Sequence, residues 1–256
     1  MSSLLFEKKD NIGFITLNRP NKLNAVNQEM AVSLLHALNE CQNDKSIRTV
    51  YITGNGKGFC AGQDLSEVTD EKSVATKLRE LYNPMVWKIR TLEKPIVAAI
   101  NGIAAGAGAN LSFCCDVVVA STEAFFTQAF SKIGLVPDTG GTYILPRFIG
   151  WQRASALMML ADNIPAREAE RMGMVYKVFE ADVFKEESLK IAYRLASMPT
   201  KTLSYIKHAL NFSVSNTFEQ QLKIEDVYQK KAFQTHDYKE GVKAFLEKRA
   251  PDFIGE

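Results

Sequence analysis

Asp138 is the only acid in the stretch GLVPDTGGTYILPRFIG, which runs from Gly134 to Gly150. A carboxylate there can cap a helix by accepting its first N–H groups. It can also take a proton from a substrate and return it. Small residues end three apolar runs, at Gly54–Gly62, Gly102–Gly108 and Gly140–Gly141. Glycine lets main-chain N–H groups come close to a ligand. Two such donors from separate loops can hold a carbonyl oxygen as negative charge builds on it. Tight packing of loop against sheet is the plainer reading of the same glycines.

Other chemistries find less support. Gly102, Gly106 and Gly108 lack the G-x-G-x-x-G spacing of a dinucleotide loop, and GNGKG lacks the phosphate-loop spacing. The four cysteines, Cys41, Cys60, Cys114 and Cys115, have no zinc-ligand spacing and read as reduced, buried thiols. Cys60 sits beside a glycine loop, but no histidine is near it in sequence, so packing is its expected role. His36, His208 and His236 lie away from the glycine loops. Asp116 opens a strand, where a structural hydrogen bond is expected. No metal and no redox cofactor is implied.

These residues need a scaffold to meet. LLFEKKDNIGFITLN reads as a hairpin, and a helix should follow from Asn27, with Met30, Leu34, Leu38 and Cys41 on one face. IRTVYITG, PIVAAIN, DVVVA and AFFTQ read as strands. GNGKGFCAGQDL and GIAAGAGAN read as loops, the second running into a helix. A long amphipathic helix is expected over 72–92, further helices from Gly140 with one strand near GMVYKVF, and an all-helical tail. Alternating strands and helices predict an α/β core, residues 1–198, followed by a helical region, 199–256.

Composition sets the outer limits. Of 256 residues 46% are hydrophobic and 23% charged, ample for a sizeable core. The 31 Lys and Arg against 29 Asp and Glu leave a net charge of +2, without the excess expected of a nucleic-acid binder. The first apolar run is too short for a signal peptide, and no run reaches membrane-span length. A cytoplasmic, soluble protein is the expectation.

Together LNRPNKLNAVNQEM, GNGKGFCAGQDL, KPIVAAINGIAAGAGANLSFCCDVVVA, FSKIGLVPDTGGTYILPRFIG, AREAERMGMVYKV and DYKEGVKAFLEKRAPDFIG resemble the enoyl-CoA hydratase/isomerase (crotonase) superfamily over nearly the whole chain. The resemblance implies a spiral of ββα units, a C-terminal helical trimerisation region, assembly as trimers or pairs of trimers, and an acyl-CoA thioester substrate that brings its own CoA. It implies an oxyanion hole from the main-chain N–H groups of Gln63 and Ala107, the latter more often glycine in the family. It lays CoA along Lys22, Leu23, Ala25, Ala61, Asp64 and Leu65, with Phe245 and Lys248 closing over the nucleotide, from the same or a neighbouring subunit. Tyr82 and Trp87 then line the acyl pocket, unless they are core aromatics, and Asn110, Phe130 and Gly141 complete it.

The departures from the family pattern bear on the reaction. Where its hydratases carry two water-handling glutamates, this chain has Asn110 and Phe130. Asp138 matches the position at which some isomerases carry their acid and the halobenzoyl-CoA dehalogenases a nucleophile. One carboxylate suffices to move a proton between carbons. Apolar Phe130, Ile133, Leu135 and Val136 are expected around it, raising its pKa. The motifs are nearest to members that convert ring-epoxidised phenylacetyl-CoA to the seven-membered oxepin. The alternatives are a straight-chain Δ3–Δ2 enoyl-CoA isomerase, a hydratase, a CoA-ester hydrolase or dehalogenase, and a non-catalytic RNA-binding member.

Overall fold

Asp10 and Asn11 both take positive φ and form the two-residue turn of the expected hairpin. They join β1 (Leu4–Lys9) to its antiparallel partner β2 (Ile12–Leu17). Helix α1 (Gln28–Asn43) starts where its cap says it should, the Asn27 side-chain oxygen accepting from the Met30 N–H at 3.0 Å. Met30, Leu34, Leu38 and Cys41 line its buried face. The computed structural model describes residues 2–67 and 76–256 of the chain.

Three consecutive units then follow one plan, a strand, a short turn, a second strand and a helix. The first has β3 (Thr49–Gly54), β4 (Gly58–Cys60) and α2 (Asn83–Thr91). The second has β5 (Ile96–Ile100), β6 (Ile103–Ala105) and α3 (Ala107–Phe113). The third has β7 (Val117–Ser121), β8 (Phe125–Thr127) and α4 (Gly141–Ile149). The segments expected as loops therefore contain β4 and β6. Of the helix expected over 72–92, residues 72–75 lie outside the described part. A π-helical turn, Leu78–Tyr82, leads into α2.

The chain continues with α5 (Trp151–Leu160), β9 (Ile164–Pro165), α6 (Ala166–Met172), β10 (Lys177–Phe179) and α7 (Phe184–Ala196). Helices α8 (Thr200–Ser213), α9 (Phe218–Phe233) and α10 (His236–Glu247) form the tail. Two sheets result, one of six strands in the order β1-β2-β3-β5-β7-β10 and one of four in the order β4-β6-β8-β9. Beyond the first hairpin the large sheet is parallel. Its central strands are covered on both faces, so they read as continuous apolar runs. Val97, Ala99 and Val119 pack toward Phe184, Ala192 and Ala196 of α7, while Ile96, Ala98 and Ile100 join the main core on the opposite face.

The small sheet positions the chemistry. β4, β6 and β8 are parallel neighbours. Their C-terminal ends leave at one edge, where ligands of parallel sheets bind. Three loops begin there: 61–65, 106–107 and 128–140. The backbones beneath them are close-packed, since a side chain on Gly108 would overlap the Cys60 carbonyl and sulfur.

Candidate active site

The first loop is held to residues 22–26. Ala61 N–H donates to Leu23 O at 2.9 Å, Val26 N–H to Gly62 O at 2.7 Å, and Asp64 N–H to Val26 O at 2.9 Å. Successive groups of an extended segment point to opposite sides, so the Gln63 N–H, between two inward-bonded residues, points away. The Tyr82 hydroxyl also donates to Val26 O at 2.9 Å, tying the π-helical turn to this loop. Arg19 braces the other side, donating to Ala25 O and pairing with Asp64 Oδ2 at 2.8 Å.

The second loop is pinned by the Gly106 N–H, which donates to Thr127 O at 2.9 Å. Ala107 opens α3, so its N–H is one of the donors a helix start leaves unused. Gly62 takes φ +100°, and a Cβ there would lie 3.0 Å from Ala105 O and 3.5 Å from Ala107 N. The two donor segments therefore touch. Among the described residues, neither the Gln63 nor the Ala107 N–H has an acceptor. Unused main-chain donors on touching segments are what an oxyanion site is built from.

The third loop brings Asp138. Its main-chain carbonyl accepts from Gly141 N–H at 2.9 Å and from Asn110 Nδ2 at 2.8 Å, while Thr139 Oγ1 donates to Oδ1 at 2.7 Å. The carboxylate does not cap α4, whose N-cap is Gly140 with no side-chain bond. Burial pushes the Asp138 carboxyl above its ordinary value, with the Thr139 hydroxyl partly offsetting it. The expected apolar surround is only partly present. Phe130 is 7% exposed, but Ile133, Leu135 and Val136 are 53%, 41% and 77% exposed, because the loop carrying them runs over the surface.

Phe130 instead faces the oxyanion loop, its ring edge 3.6 Å from where a Gly106 side chain would start. Asn110 is fully buried, and its amide occupies the space that a side chain on Gly141 would need. Burial first, then the Cys60 and Asp138 groups, push the Tyr82 phenol up. Neither Asn110 nor Phe130 can exchange a proton at neutral pH.

The remaining candidates sort by burial and partners. Asp64 has both oxygens engaged, one by Arg19 and one by Ser66, so it braces the loop and offers CoA no free oxygen. The Ser66 hydroxyl, then Arg19, lowers its pKa to about 2. Lys22 and Leu65 are exposed beside Leu23, Ala25 and Ala61. Tyr82 is a core aromatic with its hydroxyl committed, and Trp87 is 72% exposed. Phe245 and Lys248 are exposed at the end of α10, and Phe245 is 82% exposed. Burial raises the Cys60 thiol to about 12, which leaves it protonated and unreactive. His36 is exposed and His208 packs near Tyr228. Asp116 pairs with Lys207 at 2.8 Å and accepts from Ile96 N–H, a structural role. Among the described residues no cluster of His, Cys, Asp and Glu could hold a metal ion, and no helix is long and apolar enough to cross a membrane. Sequence reasoning overlooked Arg19 and Gln128. Their one signal was position, Arg19 opening RPNKLNA and Gln128 standing two residues before Phe130.

Two loops with unused main-chain donors thus meet at one edge of a sheet built from repeated ββα units. Residues 7–256 match the family model for enoyl-CoA hydratase/isomerase, and the chain belongs to that family. It is 40% identical to the 1,2-epoxyphenylacetyl-CoA isomerase of Escherichia coli K12, over 100% of this chain and 99% of that protein. It is 36% identical to the 2,3-dehydroadipyl-CoA hydratase of the same organism, covering 100% of both. The crystal structure of enoyl-CoA hydratase from Bacillus anthracis superimposes with a TM-score of 0.95 at 31% identity, over 99% of this chain and 100% of that one.

Proposed function

We propose that the chain is an acyl-CoA isomerase in which Asp138 moves a proton and Gln63 and Ala107 hold the thioester oxygen. The observation that carries this is the Asp138 carboxyl, half-buried and uncapped, in a chain with two unused main-chain donors and with Asn110 and Phe130 where the family's hydratases hold water. The carboxylate removes a proton from C2 of the acyl group, and the thioester oxygen takes the charge as an enolate against the two N–H groups. Each such donor contributes about 2.7–4 kcal/mol to the transition state. The same carboxylic acid then returns the proton further along the conjugated system. A pKa raised by burial suits a group that must both take and give a proton.

The substrate we favour is ring-epoxidised phenylacetyl-CoA, rearranged to the oxepin. The support is the 40% identical isomerase, together with the apolar Phe130 ring beside the oxyanion loop. A straight-chain 3-enoyl-CoA uses the same residues in the same roles and is the second reading. The exposed Phe218, Phe233 and Phe245 of the helical tail support assembly into trimers or pairs of trimers.

Deuterium exchange at the acyl carbons, read by mass spectrometry, tests both. Wild-type protein should label phenylacetyl-type or 3-enoyl-CoA esters. Asp138→Asn should slow labelling about 10²–10⁴-fold, the usual range for a lost acid–base group. The ester labelled fastest identifies the substrate class. Exchange absent from wild type, or unchanged in the variant, defeats the isomerase reading.

A further inference from the structure

Gln128 and Asn110 carry amides that the proton shuttle does not use. Gln128 Nε2 donates to Asn110 Oδ1 at 2.8 Å, and Asn110 Nδ2 donates to the Asp138 main-chain carbonyl at 2.8 Å. Both residues are buried. The direction of this chain is set from its far end. A carbonyl only accepts, so Asn110 must turn its NH2 toward Asp138. Its oxygen then faces Gln128, which must present its own NH2. Gln128 Oε1 is thereby left buried and without a donor among the described residues, an arrangement that costs stability.

The turn at the end of this chain is itself strained. Asp138 O accepts from Gly141 N–H across Thr139 and Gly140, which have φ +54° and +78°. A β-branched residue rarely adopts that region, and a strained turn persists only where its surroundings enforce it. Thr139 is buried, and its hydroxyl donates to the Asp138 carboxylate. Asn110 fills the space against Gly141 at the same place. One buried amide thus holds the turn from inside, and a second holds that amide.

We propose that Gln128 and Asn110 are positioning residues, an amide relay of fixed polarity that clamps the Asp138–Gly141 turn and sets where the Asp138 carboxyl stands relative to the oxyanion donors. This rests on Asp138 being the acid–base group. It has a further consequence for the site. An ionised carboxylate at 110 would set one acceptor against another at Asp138 O, so it and a clamped Asp138 exclude each other.

Two near-isosteric variants test the relay. Asn110→Asp loses the donor to Asp138 O. Deuterium exchange should fall about 10²-fold in kcat, the scale of a 1 Å misplacement, with KM for the ester within about twofold. Crystal structures of wild type and Asn110→Asp should show the Asp138 carboxyl displaced by about 1 Å. Gln128→Glu can donate to Asn110 Oδ1 only when protonated. Its kcat, divided by that of wild type at the same pH, should therefore rise as pH falls through the pKa of the new carboxyl. A pH-independent ratio, or kcat and KM lost together in both variants, marks Gln128 and Asn110 as packing groups and overturns the proposal. An unmoved Asp138 carboxyl in Asn110→Asp overturns it as well, whatever the activity. Loss of exchange in Asp138→Asn with both relay variants at wild-type rates defeats the relay alone. No exchange in wild type defeats the acid–base reading and the proposal that rests on it.

Discussion

The two sheets grow from the same three units but are built differently. In the large sheet β3, β5 and β7 are six, five and five residues long and mostly buried. In the small sheet β4, β6 and β8 have three residues each. Each long strand has its neighbours' apolar side chains on both faces, so its stability comes from area removed from water. Each short strand buries fewer side chains, although Phe59 and Phe126 are among the largest in the core. It serves as a main-chain anchor whose C-terminal loop must end in a set place. The long strands thus carry most of the buried run, while the short ones add a few core anchors and lead into the loops that hold Gln63, Ala107 and Asp138.

Substitutions in each sheet should therefore have separable effects. The largest is expected at the small sheet's edge, where Ala107→Pro removes one oxyanion donor. Proline is tolerated at the first position of a helix, so the melting temperature should shift little. Steady-state kinetics should show kcat lowered about 10²–10³-fold. A normal kcat would remove the Ala107 N–H from the mechanism.

In the large sheet, Ile52→Val should do the reverse. Ile52 is fully buried, and losing one methylene there costs about 0.5–1.5 kcal/mol. Urea unfolding should show that loss, while kcat of the folded enzyme stays within about twofold. A large fall in kcat would mean that the two sheets are mechanically coupled.

The smallest effect concerns Asp138 itself. Burial raises its carboxyl above the ordinary 3.8, so the folded chain holds that proton more tightly than the unfolded one. Between the ordinary and the raised value the native state binds more protons, so stability falls as pH rises across that window and stays lower above it. Asp138→Asn removes the ionisation and should raise the urea midpoint at pH 7, but not at pH 3. A lower midpoint at pH 7 would show that the carboxylate is stabilised in place rather than strained.

The large sheet was legible because its strands are long apolar runs ended by glycine or proline, as in IRTVYITG and KPIVAAIN. Helix α1 was legible from Asn27 and its buried stripe. Of the small sheet only β8 was legible, as AFFTQ. Segments of three residues such as Gly58–Cys60 and Ile103–Ala105 show no period, and their pairing joins residues some forty apart. Asp138 could be noticed as a lone acid but not told from a cap, because capping depends on where the N–H groups of α4 point. Gln128 carried no signal beyond its place two residues before Phe130, since its partner Asn110 lies eighteen residues away.

By itself the sequence determined the α/β class, the long strands and α1, and the absence of a titratable group at positions 110 and 130. Those follow from residue type and local periodicity. Only the tertiary structure decided that the loops carrying Gln63 and Ala107 touch, that Asp138 is half-buried and uncapped, and that Asp64 is spent on Arg19 and Ser66. The physical reason is that main-chain donors have no side-chain identity to read. Their use depends on direction and on which partners are already taken, and both are fixed only when the parallel strands of the small sheet bring their ends to one edge.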